Sequence, residues 1–168
     1  KRPEQTGIRT GDRLAMVKLA IEGIPHFFLQ TYEAEKRTVS YSYETMEHLR
    51  EACPERTFYY IIGADSLFQV ETWKHPERFL RSCTMIAAKR EHRETDDALE
   101  SQIRHLKERY KTVILFSRAP VFEVSSSKIR EMVKRGEDIH HLVPPSVASY
   151  IYNHHLYRED IEVEQRNS

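Results

Sequence analysis

The chain has 168 residues, 39% of them hydrophobic, which suits one domain around a core of moderate size. Its 26 basic residues balance 26 acidic ones, so it lacks the charge surplus of a general nucleic-acid binder. No apolar run approaches the ~18 residues of a membrane span and no signal peptide opens the chain. Cys53 and Cys83 form no C-x-x-C pair, and two free thiols in a reducing cytoplasm are the simplest account of them.

Apolar periodicity and a closing glycine predict a first helix over Asp12 to Gly23, with Leu14, Val17 and Ile21 on one face. HFFLQTY, His26 to Tyr32, reads as a strand, and Tyr43 to Cys53 as a helix that Ser42 can cap. TFYYIIGAD, Thr57 to Asp65, is an aromatic and β-branched strand closed by glycine. Short helices are expected over Leu67 to Val70 and Glu77 to Ser82, then a strand over TMIAAK, Thr84 to Lys89. A charged amphipathic helix spans Thr95 to Tyr110, and TVILF, Thr112 to Phe116, is a fourth strand. After a β-type run, three serines open a helix that begins with Lys128 and Arg130, and a last helix covers Ser146 to His154. Wholly apolar strands alternating with helices imply an α/β fold, a parallel sheet with helices on both faces. Residues 1–157 make the single domain, and 158–168 a frayed, charged tail.

Ligands of open α/β sheets sit beyond the carboxyl ends of the strands, where three segments of this chain fall. In Gly63-Ala64-Asp65, the glycine lets a ligand approach the backbone and the carboxylate can accept from ribose hydroxyls; an ordinary tight turn is the plainer alternative. Lys89-Arg90 offers cations to a phosphate or an adenine ring. At the serine turn, Ser125, Ser126 and Ser127 can cap a helix whose first-turn N–H groups and dipole favour an anion. Lys128 and Arg130 oppose that dipole unless a polyphosphate lies among them. Together the three segments describe a nucleotide site. His140-His141 and His154-His155 suggest metal ligands, but neighbours on a helix point about 100° apart, so neither pair chelates one ion there. No metal site is expected.

The chain resembles the bacterial nicotinate-nucleotide adenylyltransferases of the nucleotidyltransferase α/β phosphodiesterase superfamily, over about Lys1 to Tyr157. The residues that carry the likeness are EKRTVSYSYET (Glu35 to Thr45), YIIGAD (Tyr60 to Asp65) with Trp73, VSSSKIR (Val124 to Arg130) and LVPPSVASYIYNHHLY (Leu142 to Tyr157), in the family's order. The resemblance implies a Rossmann-like doubly wound sheet and transfer of AMP from ATP, with Mg²⁺, to nicotinate mononucleotide. Under it Gly63 and Asp65 hold ribose, Ser125, Ser126, Ser127, Ile129 and Arg130 meet ATP with Arg130 near its phosphates, and Arg90 and Lys1 join the nucleotide side. Trp73 stacks on the pyridine ring, and Tyr41 and Ser42 lie near its carboxylate. A homo-oligomer is left open. A sister adenylyltransferase acting on nicotinamide mononucleotide or phosphopantetheine, or a non-catalytic nucleotide-binding protein, are the competing readings.

The chain departs from the family's pattern in several places. Thr38-Val39 replaces Gly-Pro, Lys36 an arginine, Glu44 an aspartate, Lys74 a tyrosine, and Glu91-His92 a Pro-Gly. The family's first strand and its G-G-T-F-D-P-x-H-x-G-H loop, whose histidines contact the ATP phosphates, match nothing here. The catalytic residues thus stay unassigned except for Arg130 as a phosphate-stabilising candidate. The expectation is that a segment carrying this strand and loop precedes Lys1, because the first strand is central in such a sheet and its loss leaves apolar edges unpaired.

Overall fold

The computed structural model describes residues 8–36, 38–88, 96–117 and 124–158. In chain order the elements are α1 (Thr10–Ile21), α2 (Tyr32–Glu35), α3 (Ser42–Ala52), β1 (Tyr59–Gly63), α4 (Ala64–Gln69), a 3-10 turn (Val70–Thr72), α5 (Pro76–Ser82), β2 (Thr84–Ala88), α6 (Asp96–Tyr110), β3 (Ile114–Ser117), α7 (Ser126–Lys134) and α8 (Pro145–Asn153). They form two compact units, Glu35–Glu123 on one side and Lys1–Ala34 with Val124–Ser168 on the other.

In the first of these units three parallel strands lie in the order β1-β2-β3. Gly63 pairs with Ala88 and Ala88 with Ser117, so the three carboxyl ends share one rim. Side chains alternate across a strand. Ile62, Met85, Ala87 and Ile114 therefore point to one face, where they are buried with Leu67, Phe79, Leu80, Leu99 and Leu106 from α4, α5 and α6. The other face carries Tyr59, Ile61 and Leu115, with Ile61 73% exposed. Among the described residues, α3 to α6 pack through the first face. Pro76 at the first turn of α5 has a preset φ and no N–H to waste, and the buried hydroxyls of Ser82 and Thr112 donate to the carbonyls of Phe79 and Leu80, each at 2.6 Å. Strands and helices alternate along the chain in the Rossmann-like order that the sequence implies.

The strand expected over His26 to Tyr32 does not form. His26 adopts φ 70, in the left-handed region, residues 27–31 have no regular structure, and Tyr32 already starts α2. A strand needs a neighbour for its N–H and C=O groups, and this stretch has no ladder partner among the described residues; Phe27 and Phe28 are 60% and 88% exposed.

The other unit packs α1, α7 and α8 around Val133, Ile139, Val147, Ala148 and Ile151. Helix α1 forms where the periodicity places it, with Gly23 at φ 75 beyond its end, but its packed face differs. Met16, Leu19 and Ala20 meet the cluster, whereas Val17, expected inside, is 45% exposed. Seven of the eight residues from Leu14 to Ile21 are apolar, so periodicity could not choose a face. Tertiary bonds settle it: Tyr150 donates to Asp12 at 3.0 Å and Ser146 to the Leu19 carbonyl at 3.4 Å.

Phe79 shows what holds the sheet unit together. Its buried ring meets Tyr60 edge-on at 4.9 Å and Trp73 at 5.2 Å. Phe79→Ala is expected to cost about 3–5 kcal/mol in denaturant unfolding, and to shift the emission of Trp73, the single tryptophan. A loss below about 1 kcal/mol would mean the site collapses without harm and the ring is dispensable.

Candidate active site

At the shared carboxyl rim, Gly63 is at once the last residue of β1 and the N-cap of α4. Its φ of −71 suits any residue, so what the glycine offers is the absence of a side chain. Asp65 follows in the first turn of α4, exposed, with no hydrogen bond or ion pair to its carboxylate among the described residues. A carboxylate there complements the helix dipole and remains available to hydroxyl donors.

In the other unit the serine turn is built as its sequence predicts. Ser125 is the N-cap of α7 in extended conformation, and its hydroxyl accepts from the Lys128 N–H at 3.2 Å. Arg130 reaches back one turn and donates to the Ser127 hydroxyl at 3.0 Å, which sets its guanidinium toward the helix N-terminus. The helix ladder offers no acceptor to the N–H groups of Ser126 and Ser127. Ile129 and Met132 anchor the helix against the buried cluster, leaving the polar first turn exposed.

Near the start of α3, an aromatic group forms that sequence reasoning saw only in part. Ser42, expected as a cap, is the first helical residue; Tyr41 takes the N-cap backbone (φ −107, ψ 140) and makes no side-chain cap bond. Tyr41 stacks on Tyr43 at 6.0 Å, and Tyr43 meets His75 edge-on at 5.0 Å. His75 lies two residues beyond Trp73, which is half-buried against Phe79. Tyr43, His75 and Arg78 were not singled out in the sequence. The His-Pro step was the available signal for His75, which holds a left-handed φ of 50, a strain of roughly 1–3 kcal/mol that often marks functional turns. Arg78 lies 4.5 Å from the Tyr43 ring centroid and pairs with both carboxylate oxygens of Glu47, clamping α5 to α3.

Two carboxylates fix this neighbourhood. Glu44 accepts from Lys36 at 2.8 Å and from Tyr43 at 3.1 Å, and the Lys36 hydrogen bond holds its carboxyl below the usual range. Lys36 and Glu44 are two of the departures noted above, and they pair with each other. Glu71, in the turn that leads to Trp73, accepts from Tyr110 at 3.0 Å and contacts His105 and Arg109 at 3.1 Å. Burial pushes its carboxyl up, but the bonds from Tyr110 and His105 and the nearby positive charge bring it below the ordinary value. The turn is thereby tied to α6.

Lys1, Lys89 and Arg90 lie outside the described residues, as do residues 121–123 before the serine turn. Among the described residues no group of three His, Cys, Asp or Glu is placed to hold a metal ion. His140 instead bonds Asp138, and His154 stacks on Tyr150 at 4.1 Å. Cys53 and Cys83 are both free thiols, as expected.

Two predictions follow from this geometry. Because the folded-state pKa of Glu44 is lowered, the pair adds stability above its ordinary carboxylate range and loses it as pH falls through the depressed value. Lys36→Met should raise the Glu44 pKa toward normal in an NMR titration of its carboxyl; an unmoved midpoint would deny the pair its role. Ser125→Ala should destabilise the protein by about 0.5–2 kcal/mol, read as a lower unfolding midpoint, whereas Ser126→Ala should change it little.

Comparison with known proteins shows the family of the chain. The chain matches the cytidylyltransferase-like family over residues 1–132. It is 39% identical over 145 residues to a probable nicotinate-nucleotide adenylyltransferase of Lachnoclostridium phytofermentans, covering 86% of this chain and 72% of that protein. A protein of the same description from Clostridium kluyveri is 34% identical over 148 residues, covering 87% and 73%. The fold is similar to that of Plasmodium falciparum nicotinic acid mononucleotide adenylyltransferase, solved with NaAD, with TM-score 0.69 and 20% identity over 93% of this chain and 78% of that one. The same enzyme solved with APC gives 0.67 and 20% over 88% and 75%. The chain therefore belongs to the cytidylyltransferase-like family and, within it, to the nicotinate-nucleotide adenylyltransferases.

Proposed function

We propose that the protein transfers the AMP unit of ATP to the phosphate of nicotinate mononucleotide, releasing pyrophosphate and giving deamido-NAD. An acceptor phosphate oxygen attacks the α-phosphorus, a P–O–P bridge to the acceptor forms, and the bond to the pyrophosphate oxygen breaks. The observation that carries the proposal is the first turn of α7. There Ser125 caps, the N–H groups of Ser126 and Ser127 lie outside the ladder, and Arg130 is folded back onto Ser127. Such a turn supplies what attack of one phosphate on another needs: fixed donors and positive charge where negative charge crowds.

In this reading Arg130 and the serines hold the triphosphate, with Ile129 beside them, and Gly63 and Asp65 take the ribose. Lys1 and Arg90 add cations on the nucleotide side. Trp73 offers a ring face to the pyridine, and Tyr41 and Ser42 its carboxylate contacts. Mg²⁺ enters with ATP, since this ion keeps several waters and is usually held by substrate phosphates. The two free thiols suit a cytoplasmic setting, and among the described residues no helix is long and apolar enough to cross a membrane.

The test is pyrophosphate release from Mg·ATP with nicotinate mononucleotide, nicotinamide mononucleotide and phosphopantetheine as rival acceptors. The first should give the highest kcat/KM. Arg130→Ala should lower kcat by about 10²-fold or more, while Trp73→Ala should raise KM for the pyridine nucleotide more than KM for ATP. Saturable ATP binding without transfer to any acceptor would favour a non-catalytic nucleotide-binding protein, and fastest turnover of phosphopantetheine would name a sister enzyme.

A further inference from the structure

At the end of the sheet opposite Gly63 and Asp65, the amino-terminal ends of the three strands frame a cleft of about 340 Å³. Arg50, Arg56, Arg81 and Lys111 line it, with Thr57 and Cys83 among the remaining residues, and among the described residues no aspartate or glutamate does. We propose that this cleft is a second anion site, separate from the proposed catalytic one, for a small molecule bearing a di- or triphosphate.

Charge bookkeeping decides between this and the plainer view that the cations merely complement helix ends. The carboxyl ends of α3, α5 and α6 lie here, Arg50 and Arg81 belonging to the last turns of α3 and α5 and Lys111 following α6. Each helix end is equivalent to roughly half a negative charge, about −1.5 in total against four full positive charges. Glu55 pairs with Arg56 at 3.6 Å, which still leaves a surplus of roughly +1.5. Arg50 makes its bond at 3.4 Å to the uncharged Arg81 carbonyl, and Arg50, Arg81 and Lys111 have no carboxylate partner among the described residues. Burial pushes the Cys83 thiol up to about 11, so its sulfur stays neutral and adds no negative charge. Lys111 holds a left-handed φ of 56, a conformation that glycine or asparagine would take at less cost, yet a cation stands there.

The volume argues for ligand size. It falls at the low end of the ~300–1,000 Å³ of small-molecule clefts. Several converging cations suit an anion with two or more phosphate charges better than a single carboxylate.

NMR titration of the full protein with inorganic pyrophosphate tests the site. Saturable shifts are expected at the amides of Thr57, Cys83 and Lys111, weakening as salt is added. The Arg81→Gln, Lys111→Asn double variant, in which asparagine tolerates the left-handed turn, should bind about tenfold more weakly or worse at those amides. Arg130→Ala should leave that binding intact. If the double variant fails to fold, Arg50→Gln gives the same reading. Tighter binding of ADP at these amides would identify a nucleotide's phosphate tail as the ligand, and equal binding a free polyphosphate. Shifts that never saturate, or an affinity that the double variant leaves unchanged, would overturn the proposal.

Discussion

The ring of Phe79 is the contact on which the sheet unit depends. It sits in α5, wholly buried, with Tyr60 of β1 against one side and Trp73 against another. Its own carbonyl accepts from the Ser82 hydroxyl, closing the helix just before β2 begins. One side chain thus fixes three things at once: the position of β1, the turn that carries Trp73, and the approach of the chain to the second strand. Helix α5 has only seven residues, yet it joins the two chemical ends of this unit. Its start presents His75 to Tyr43, beside the proposed pyridine contacts. Its end places Arg81 and Cys83 at the cationic cleft.

Much of this was legible in the chain. Tyr60 to Gly63, Thr84 to Ala88 and Ile114 to Phe116 are short apolar runs between turn signals, and each became a parallel strand, because local preference and burial agree there. His26 to Tyr32 has the same look and failed. Apolar content makes a strand possible, but pairing makes it real, and pairing is a property of neighbours that the segment itself does not encode. Helix α1 failed in a subtler way. Its existence was readable and its inward face was not, because apolar side chains surround most of its circumference and the decision passed to Tyr150 and Ser146.

The same division runs through the site. The serine turn was readable since capping is local: Ser125 and the Lys128 N–H are three residues apart, as are Ser127 and Arg130. The aromatic group was half readable. Tyr41 and Trp73 came from resemblance, while Tyr43, His75 and Arg78 meet only through tertiary packing of α3 against α5. No spacing rule links residue 43 to residues 75 and 78. Glu71, held by three partners from α6, was equally invisible, although its bonds fix the turn on which Trp73 rides.

The pairing of Lys36 with Glu44 gives the departures from the family's pattern a physical sense. A lysine offers a point charge without the planar fork of an arginine, and a glutamate reaches one methylene further than an aspartate. The long acid meets the lysine, and the ion pair closes at 2.8 Å. Its position matters more than its energy, since a partly exposed pair adds little to stability. Glu44 stands in the first turn of α3, the turn that Tyr41 and Ser42 open. A carboxylate there suits the helix dipole but repels any anion brought to the same N-terminus. With Lys36 attached, Glu44 presents little net charge. In the proposed reading, the helix end then keeps its attraction for the pyridine carboxylate, because the pair leaves the field of α3 unopposed.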